Sequence, residues 1–331
     1  MKRIRAGVIG VGHLGQHHAR QYATLPGSVL VGVLDTDPSR AKLIADRHGV
    51  RAYPQVNALI QDIEVVSIAA PTSAHFVLAK TCLQAGKHVL VEKPVAVTAA
   101  EARDLIEVAK DRGCLLQVGH SERFNPIMQL MREHIDRPAF VECHRLSSFG
   151  DRGTDVDVVL DLMIHDLDLV LSFAPGPLEE VRAAGVPVLS QNIDIANARL
   201  VFAGGCVANL TSSRVSMTKM RRLRVFQRDR YVSIDFQTRQ GMISRRVEQS
   251  GRRPSIEVEH FRGTEEEPLK LEVESFLQAV STGSQPVVGG EAGLAVLELA
   301  HQVLDAIGHF LQRHAVDGDK GDAHGETIFP N

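Results

Sequence analysis

"VIGVGHLGQHHA", residues 8–19, sets Gly10, Gly12 and Gly15 between an apolar run and a helix-like stretch. Each glycine of this G-x-G-x-x-G spacing has a mechanical task. The first allows a tight turn, the second lets the backbone approach a pyrophosphate, and the third lets the helix pack closely on the strand. The helix then offers free N–H groups and a positive dipole end. Gly10, Gly12, His13, Leu14 and Gly15 are therefore expected to cradle a dinucleotide. The next strand-like run, "VLVGVLD", ends in Asp35, twenty residues after Gly15. A carboxylate there accepts ribose hydroxyls and repels a 2′-phosphate, which selects NAD over NADP. No arginine adjoins Asp35 in sequence, and Arg40 is five residues on.

Outward from this motif the same rhythm continues to about residue 120. "RAGVIG", "VLVGVLD", "VVSIAA", "HVLVE" and "CLLQVG" are short apolar runs, with helical patterns such as Leu14–Leu25, Ala74–Ala85 and Thr98–Arg112 between them. Strands apolar on both faces and separated by helices predict a parallel α/β sheet. From about residue 139 longer alternating strands follow: "AFVECHRLSSF", "IANARLVFAGGCVANLTSS", "RRLRVFQ" and "YVSIDFQ", with a hairpin turn at Gly204–Gly205. The expected architecture is an α/β Rossmann dinucleotide-binding domain plus an α+β domain with a large, mostly antiparallel open sheet. Helices near 268–282 and 290–313 close the chain. The expected limits are 1–121 for the cofactor domain and 122–315 for a substrate-binding and oligomerisation domain. Residues 316–331, Gly- and Asp-rich and without periodicity, read as a mobile tail.

Composition narrows the function classes. With 331 residues, 44% of them hydrophobic and 23% charged, the chain is long enough for two ordinary globular domains. Its 37 Lys plus Arg against 40 Asp plus Glu give a net charge of −3, which makes no electrostatic case for nucleic acid or an acidic membrane. The basic run "KMRRLRVFQRDR", residues 219–230, alternates with apolar residues and reads as one face of a sheet. No apolar run approaches the ~18 to 20 residues of a membrane span, and the N-terminal run lacks a cleavage site. Cys82, Cys114, Cys143 and Cys206 are too widely spaced for a CxxC pair. They fit a reduced, cytoplasmic setting, although two bridges stay open.

A second motif suggests chemistry. "HVLVEKPVAV" puts Glu92, Lys93 and Pro94 at the C-terminal end of a predicted strand, and "AAPTSAH" puts Thr72 and His75 at the end of the strand before it. In open α/β sheets that edge faces the ligand. A surface ion pair beside a turn proline would read the same locally. A lysine at this edge can hold a developing alkoxide through charge-assisted hydrogen bonds. In "GHSERFNP", Arg123 and Asn125 read either as contacts to diphosphate or sugar hydroxyls or as a structural cluster at a helix start. Arg152 in "RGTD" is a further phosphate candidate.

The third feature is "DVDVVLDLMIHDLDLVL", residues 155–171, a helix pattern apolar on two sides with five acids and a histidine. At ~100° per residue, Asp157, Asp161, His165 and Asp168 share one stripe. Buried carboxylates are costly unless paired, so the stripe should serve a site. It holds a single histidine and NAD chemistry needs no metal, so no metal is expected.

These residues together resemble the glucose–fructose oxidoreductase/inositol dehydrogenase (Gfo/Idh/MocA) superfamily, over nearly the whole chain. The glycine loop, "PTSAH", "EKP", "VGHSERFNP" and the His/Asp helix carry the likeness. The resemblance implies that Lys93 contacts cofactor and substrate, that His165 completes the site, and that the bond before Pro94 is cis. Within the superfamily, "VGHSERFNP", the helix region and "GVPVLSQNIDIANARLVFAGGCVANLTSSR" are similar to UDP-N-acetylglucosamine 3-dehydrogenases. That likeness implies oxidation of the 3-hydroxyl of a UDP-sugar. It also implies a partner aminotransferase in 3-amino-sugar lipid A synthesis, and a homodimer or homotetramer built on the second-domain sheet. His165 would take the hydroxyl proton with Asp161 or Asp168 behind it and Lys93 on the forming carbonyl, or the roles of Lys93 and His165 would be exchanged. A dehydrogenase of another sugar or of inositol, and a non-catalytic NAD-binding regulator, remain the alternatives.

Overall fold

The computed structural model describes residues 3–150, 156–174, 176–248 and 255–318. The chain divides into two compact units, residues 1–133 with 239–241 and 260–298, and residues 134–238 with 242–259 and 299–331. Arg152 and the residues beyond 318 lie outside the described residues.

The first unit is built by alternation. Its strands are β1 (Ile4–Ile9), β2 (Ser28–Leu34), β3 (Arg51–Ala52), β4 (Val65–Ile68), β5 (His88–Glu92) and β6 (Leu116–Gly119). They pair in the order β3-β2-β1-β4-β5-β6, all parallel. This is the Rossmann order. Helices α1 (Gly15–Thr24), α2 (Pro38–His48), α3 (Val56–Asp62), α4 (Thr72–Gln84) and α5 (Ala99–Asp111) connect them. Local chemistry starts these helices where the sequence suggests. Asp37 caps α2 by accepting from the N–H groups of Ser39 and Arg40, with Pro38 in the first turn. Thr98 and Glu101 form a reciprocal capping box on α5.

Because successive strand residues point to opposite faces, each strand feeds two cores. Val66, Val89 and Val91 pack with Leu59, Ala79, Leu83 and Leu105 on one side. Val65 and Leu90 pack with Ala19, Tyr22 and Ile44 on the other. Helix α6 (Pro126–Arg132) follows a 3-10 turn at Ser121–Phe124. Late in the chain, α8 (Pro268–Thr282) returns to this unit and buries Val273, Phe276 and Leu277 in the core of α1.

The second unit is an eight-stranded sheet. It comprises β7 (Pro138–Leu146), β8 (Leu178–Val186), β9 (Ile195–Phe202), β10 (Val207–Ser213), β11 (Met220–Gln227), β12 (Arg230–Asp235), β13 (Gln240–Val247) and β14 (Ser255–Arg262). Their order is β14-β13-β12-β11-β7-β10-β9-β8. β7 runs parallel to β10 at the centre, whereas β7–β11, β11–β12, β9–β10 and β8–β9 are antiparallel. The β9–β10 hairpin turns at Gly205, whose φ of 80° suits glycine. Alternate residues Ala196, Ala198, Leu200 and Phe202 are buried, as a one-sided sheet requires.

The helix expected over 155–171 differs from its pattern. A π turn occupies Val159–Met163, and regular helix α7 runs from Ile164 to Phe173. The N–H of Ile164 reaches back five residues to the carbonyl of Val159. A wider turn departs from the uniform ~100° per residue on which the stripe of Asp157, Asp161, His165 and Asp168 rests. Another expectation changes as well. The closing helix α9 (Gly290–Gly318) contains a stretch, Gly290–Arg313, long and apolar enough to cross a membrane. Its apolar residues have another use: Val296, Leu297, Leu299, Ala300, Val303 and Ile307 are buried in the protein.

α7 is tied to β7 by a buried ion pair. Arg145 Nε lies 3.1 Å from Asp166 Oδ2 and Nη2 2.8 Å from Oδ1, with both side chains almost inaccessible. Removing one member leaves a buried charge, so Arg145→Met should destabilise the protein by roughly 3–5 kcal/mol. Adding Asp166→Leu should recover most of that loss. Denaturant unfolding of the single and double variants measures both.

Candidate active site

The glycine loop leaves no room for side chains where the fold closes, and room where a ligand would approach. Gly10 has φ of 80°, and a Cβ there would lie 2.7 Å from the N of Ala70. A Cβ on Gly15 would lie 1.7 Å from the carbonyl oxygen of Gly10, which only glycine permits. A Cβ on Gly12 would meet nothing within 4 Å. His13 and Leu14 are exposed, and no side chain caps the first turn of α1. A loop tight behind, open in front and followed by a helix start with no side-chain cap fits a diphosphate.

Asp35 closes the other side. Its Oδ2 accepts from the N–H of Val11 at 2.8 Å, and its Oδ1 from that of Asp37 at 2.9 Å. Arg40, five residues away in sequence, folds back across the first turn of α2 to place Nη1 3.3 Å from Oδ1. The carboxylate that would receive the ribose is thus held by the loop, by its own helix start and by an arginine.

The ends of β4 and β5 carry the remaining first-unit residues. Thr72 opens α4 and is half-buried. His75, fully buried, sets Nδ1 2.8 Å from the carbonyl of Pro94 and Nε2 2.8 Å from that of Ala70. It therefore joins the two loops of this edge, and both ring nitrogens face the protein. The Lys93–Pro94 bond is cis, as the resemblance implied. Lys93 is half-buried. Glu92 is buried, with Oε1 3.0 Å from Nε2 of His18 and Oε2 accepting from the N–H of Lys93 at 3.3 Å. Burial pushes its carboxyl up, but the His18 hydrogen bond and the charges of His18 and Lys93 outweigh this and leave it below the usual range.

"GHSERFNP" separates into two kinds of residue. Asn125 is buried as the N-cap of α6, its Oδ1 accepting from Ile127 N–H at 3.3 Å and its amide donating to Glu122 at 3.1 Å. Its polar atoms face the protein, as the structural reading of this cluster had it. Arg123, on the 3-10 turn, is half-buried.

In the second unit the histidine helix is fixed at its entry. Asp157 Oδ1 accepts from the N–H of Ile193 at 2.8 Å, while Val158 donates to the carbonyl of Ile193. Arg214 donates to the carbonyl of Val156 and sets Nε 3.7 Å from Asp194. Asp194 in turn accepts from the N–H groups of Val188, Leu189 and Ser190 and from the Ser190 hydroxyl. Burial alone would raise its carboxyl, but these donors hold it far below the usual range. Past this clamp, His165 is half-buried on the first turn of α7, Asp161 half-buried in the π turn, and Asp168 fully buried. Asp157 is thus a structural residue. Asp166, Arg145 and Asp194 went unread in the sequence because their partners lie on other elements.

Residues 4–120 match the oxidoreductase family with an NAD-binding Rossmann fold, and residues 129–231 match the GFO/IDH/MocA C-terminal domain. A UDP-N-acetylglucosamine 3-dehydrogenase of Acidithiobacillus ferrooxidans is 41% identical over 317 residues, covering 95% of this chain and 100% of that protein. The chain belongs to the Gfo/Idh/MocA oxidoreductase family. A solved structure of the Acidithiobacillus enzyme superposes with a TM-score of 0.88 at 40% identity, over 94% of this chain and 100% of that one. A myo-inositol 2-dehydrogenase of Thermotoga maritima is 27% identical over 90% of this chain and 94% of its own length. Levoglucosan dehydrogenase in complex with NADH and levoglucosan shares the fold, with a TM-score of 0.83 at 18% identity over 93% and 98% of the two chains. As a Gfo/Idh/MocA oxidoreductase, this protein uses NAD in its first unit.

The glycines separate folding from binding. Gly12→Ala meets no protein atom and should change stability by less than about 1 kcal/mol, yet weaken NAD binding roughly tenfold or more. Gly15→Ala should lose both. Melting temperature and NAD titration calorimetry on the two variants give the comparison.

Proposed function

We propose that this chain oxidises the 3-hydroxyl of UDP-N-acetylglucosamine to the 3-keto sugar with NAD. The observation that carries this reading is the 41% identity to the Acidithiobacillus 3-dehydrogenase along that enzyme's entire length. The cofactor part is residues 1–121 and the substrate part 122–315, with the glycine loop and Asp35 holding the dinucleotide. Thr72 and Lys93 meet the cofactor at the ends of β4 and β5, and His75 and Glu92 support that edge from beneath. Bound NAD supplies the hydride acceptor.

His165 removes the proton from the C3 hydroxyl, a task suited to a side chain that titrates near neutral pH. Asp161 or Asp168 orients its imidazole and stabilises the charged form. Lys93 holds the oxygen as it becomes a carbonyl, through a charge-assisted hydrogen bond. Arg123 and Arg152 are assigned to the diphosphate. Asn125 acts on the substrate side only by setting the start of α6 beside Arg123. The 3-keto product passes to an aminotransferase for 3-amino-sugar lipid A, in the cytoplasm, and the enzyme works as a homodimer or homotetramer through the second-unit sheet.

A panel of UDP-sugars, free sugars and myo-inositol, coupled to an aminotransferase with glutamate and followed by NADH absorbance, tests the substrate. UDP-N-acetylglucosamine should give the highest kcat/KM. Turnover of myo-inositol alone would favour an inositol dehydrogenase, the reading supported by the Thermotoga relative, and no turnover with any substrate would favour an NAD-binding regulator. His165→Asn should lose about 10²–10⁴-fold in kcat while binding NAD normally. If the acidic limb of the pH–rate profile follows Lys93 variants instead of His165, the two roles are exchanged.

A further inference from the structure

A line of polar side chains runs through the apolar core of the first unit to the residue before Lys93. Tyr22 and His18 lie on α1, Ser67 on β4 and Glu92 at the end of β5, and all four are buried. The Tyr22 hydroxyl is 2.9 Å from Ser67 Oγ, Ser67 Oγ is 3.1 Å from His18 Nδ1, and His18 Nε2 is 3.0 Å from Glu92 Oε1.

The carboxylate fixes the direction at its end of this line. A carboxylate only accepts, so His18 donates from Nε2. Nδ1 on the other side of the ring faces the Ser67 hydroxyl, which in turn meets that of Tyr22. Burial pushes the Tyr22 hydroxyl well above its ordinary range, so it remains a donor. The far end of the line is equally constrained. The second oxygen of Glu92 takes the N–H of Lys93, and a Cβ on Gly119 would lie 3.0 Å from it. The absence of a side chain at residue 119 leaves the carboxylate room to sit there. A polar chain in a core is costly unless every member is satisfied, and leucine and phenylalanine would fill the same space without that cost. What the polar chain achieves that they would not is a fixed carboxylate against the backbone of Lys93.

We propose that His18 is a positioning residue for the reaction: through Glu92 it sets the backbone and the charge environment of Lys93. The proposal rests on the reading of Lys93 as the residue that holds the substrate oxygen. His18 touches neither substrate nor cofactor in this role.

The test uses the full-length enzyme with NAD and UDP-N-acetylglucosamine. His18→Leu should lower kcat about tenfold or more, with KM for the sugar and NAD affinity within about twofold. His18→Gln, whose amide N–H can replace Nε2–H, should return kcat to within about threefold of the native enzyme. In a Lys93→Met background, His18→Leu should have no further effect, since coupled residues are not additive. If His18→Leu does not fold, Ser67→Ala replaces it, removing only the hydroxyl that faces Nδ1, with an expected loss of about threefold. Unchanged turnover in His18→Leu, equal losses in both backgrounds, or a glutamine variant no better than leucine would each overturn the proposal. Full turnover by Lys93→Met alone is a separate outcome: it removes the role of the lysine itself, and that of His18 with it.

Discussion

Buried carboxylates organise both units of this protein. Asp35, Glu92, Asp166 and Asp194 are each enclosed, and each is met by donors: loop N–H groups, a histidine, or an arginine. An unpaired carboxylate in such surroundings would be neutralised or expelled, so each acid dictates where its partners must lie. Asp35 draws the glycine loop and the start of α2 together. Asp194 gathers three successive N–H groups and, through Arg214, the entry to the histidine helix. Asp166 binds that helix to β7.

The same constraint marks out structural residues in each unit. Residues whose polar atoms face the protein, such as His75 and Asn125, build the edges, and Asp157 ties the histidine helix to Ile193. Lys93 and Arg123 in the first unit and His165 in the second are half-buried. A π turn just ahead of His165 is consistent with such a position, since these turns gather at functional sites.

Much of this was legible in the sequence because the signals are local. Glycine spacing, strand–helix alternation and a terminal aspartate need only short stretches to act, and the Rossmann strand order follows from them. The caps at Asp37 and Thr98 are equally local. The π turn at Val159–Met163 was not legible, because it leaves no pattern in apolar spacing. The reach of Arg40 to Asp35 also escaped notice, since five residues of a helix start bend back on themselves.

By itself, the sequence determined the two-part architecture and the dinucleotide loop, because backbone sterics and hydrophobic periodicity act within a few positions of each residue. Only the tertiary structure decided that α8 returns to cover α1, that Arg145 neutralises Asp166, and that His18, Ser67 and Tyr22 converge on Glu92. Those contacts join residues from 21 to more than 200 positions apart. Their formation depends on which donors and acceptors are left facing one another once water has been excluded, and no local pattern encodes that.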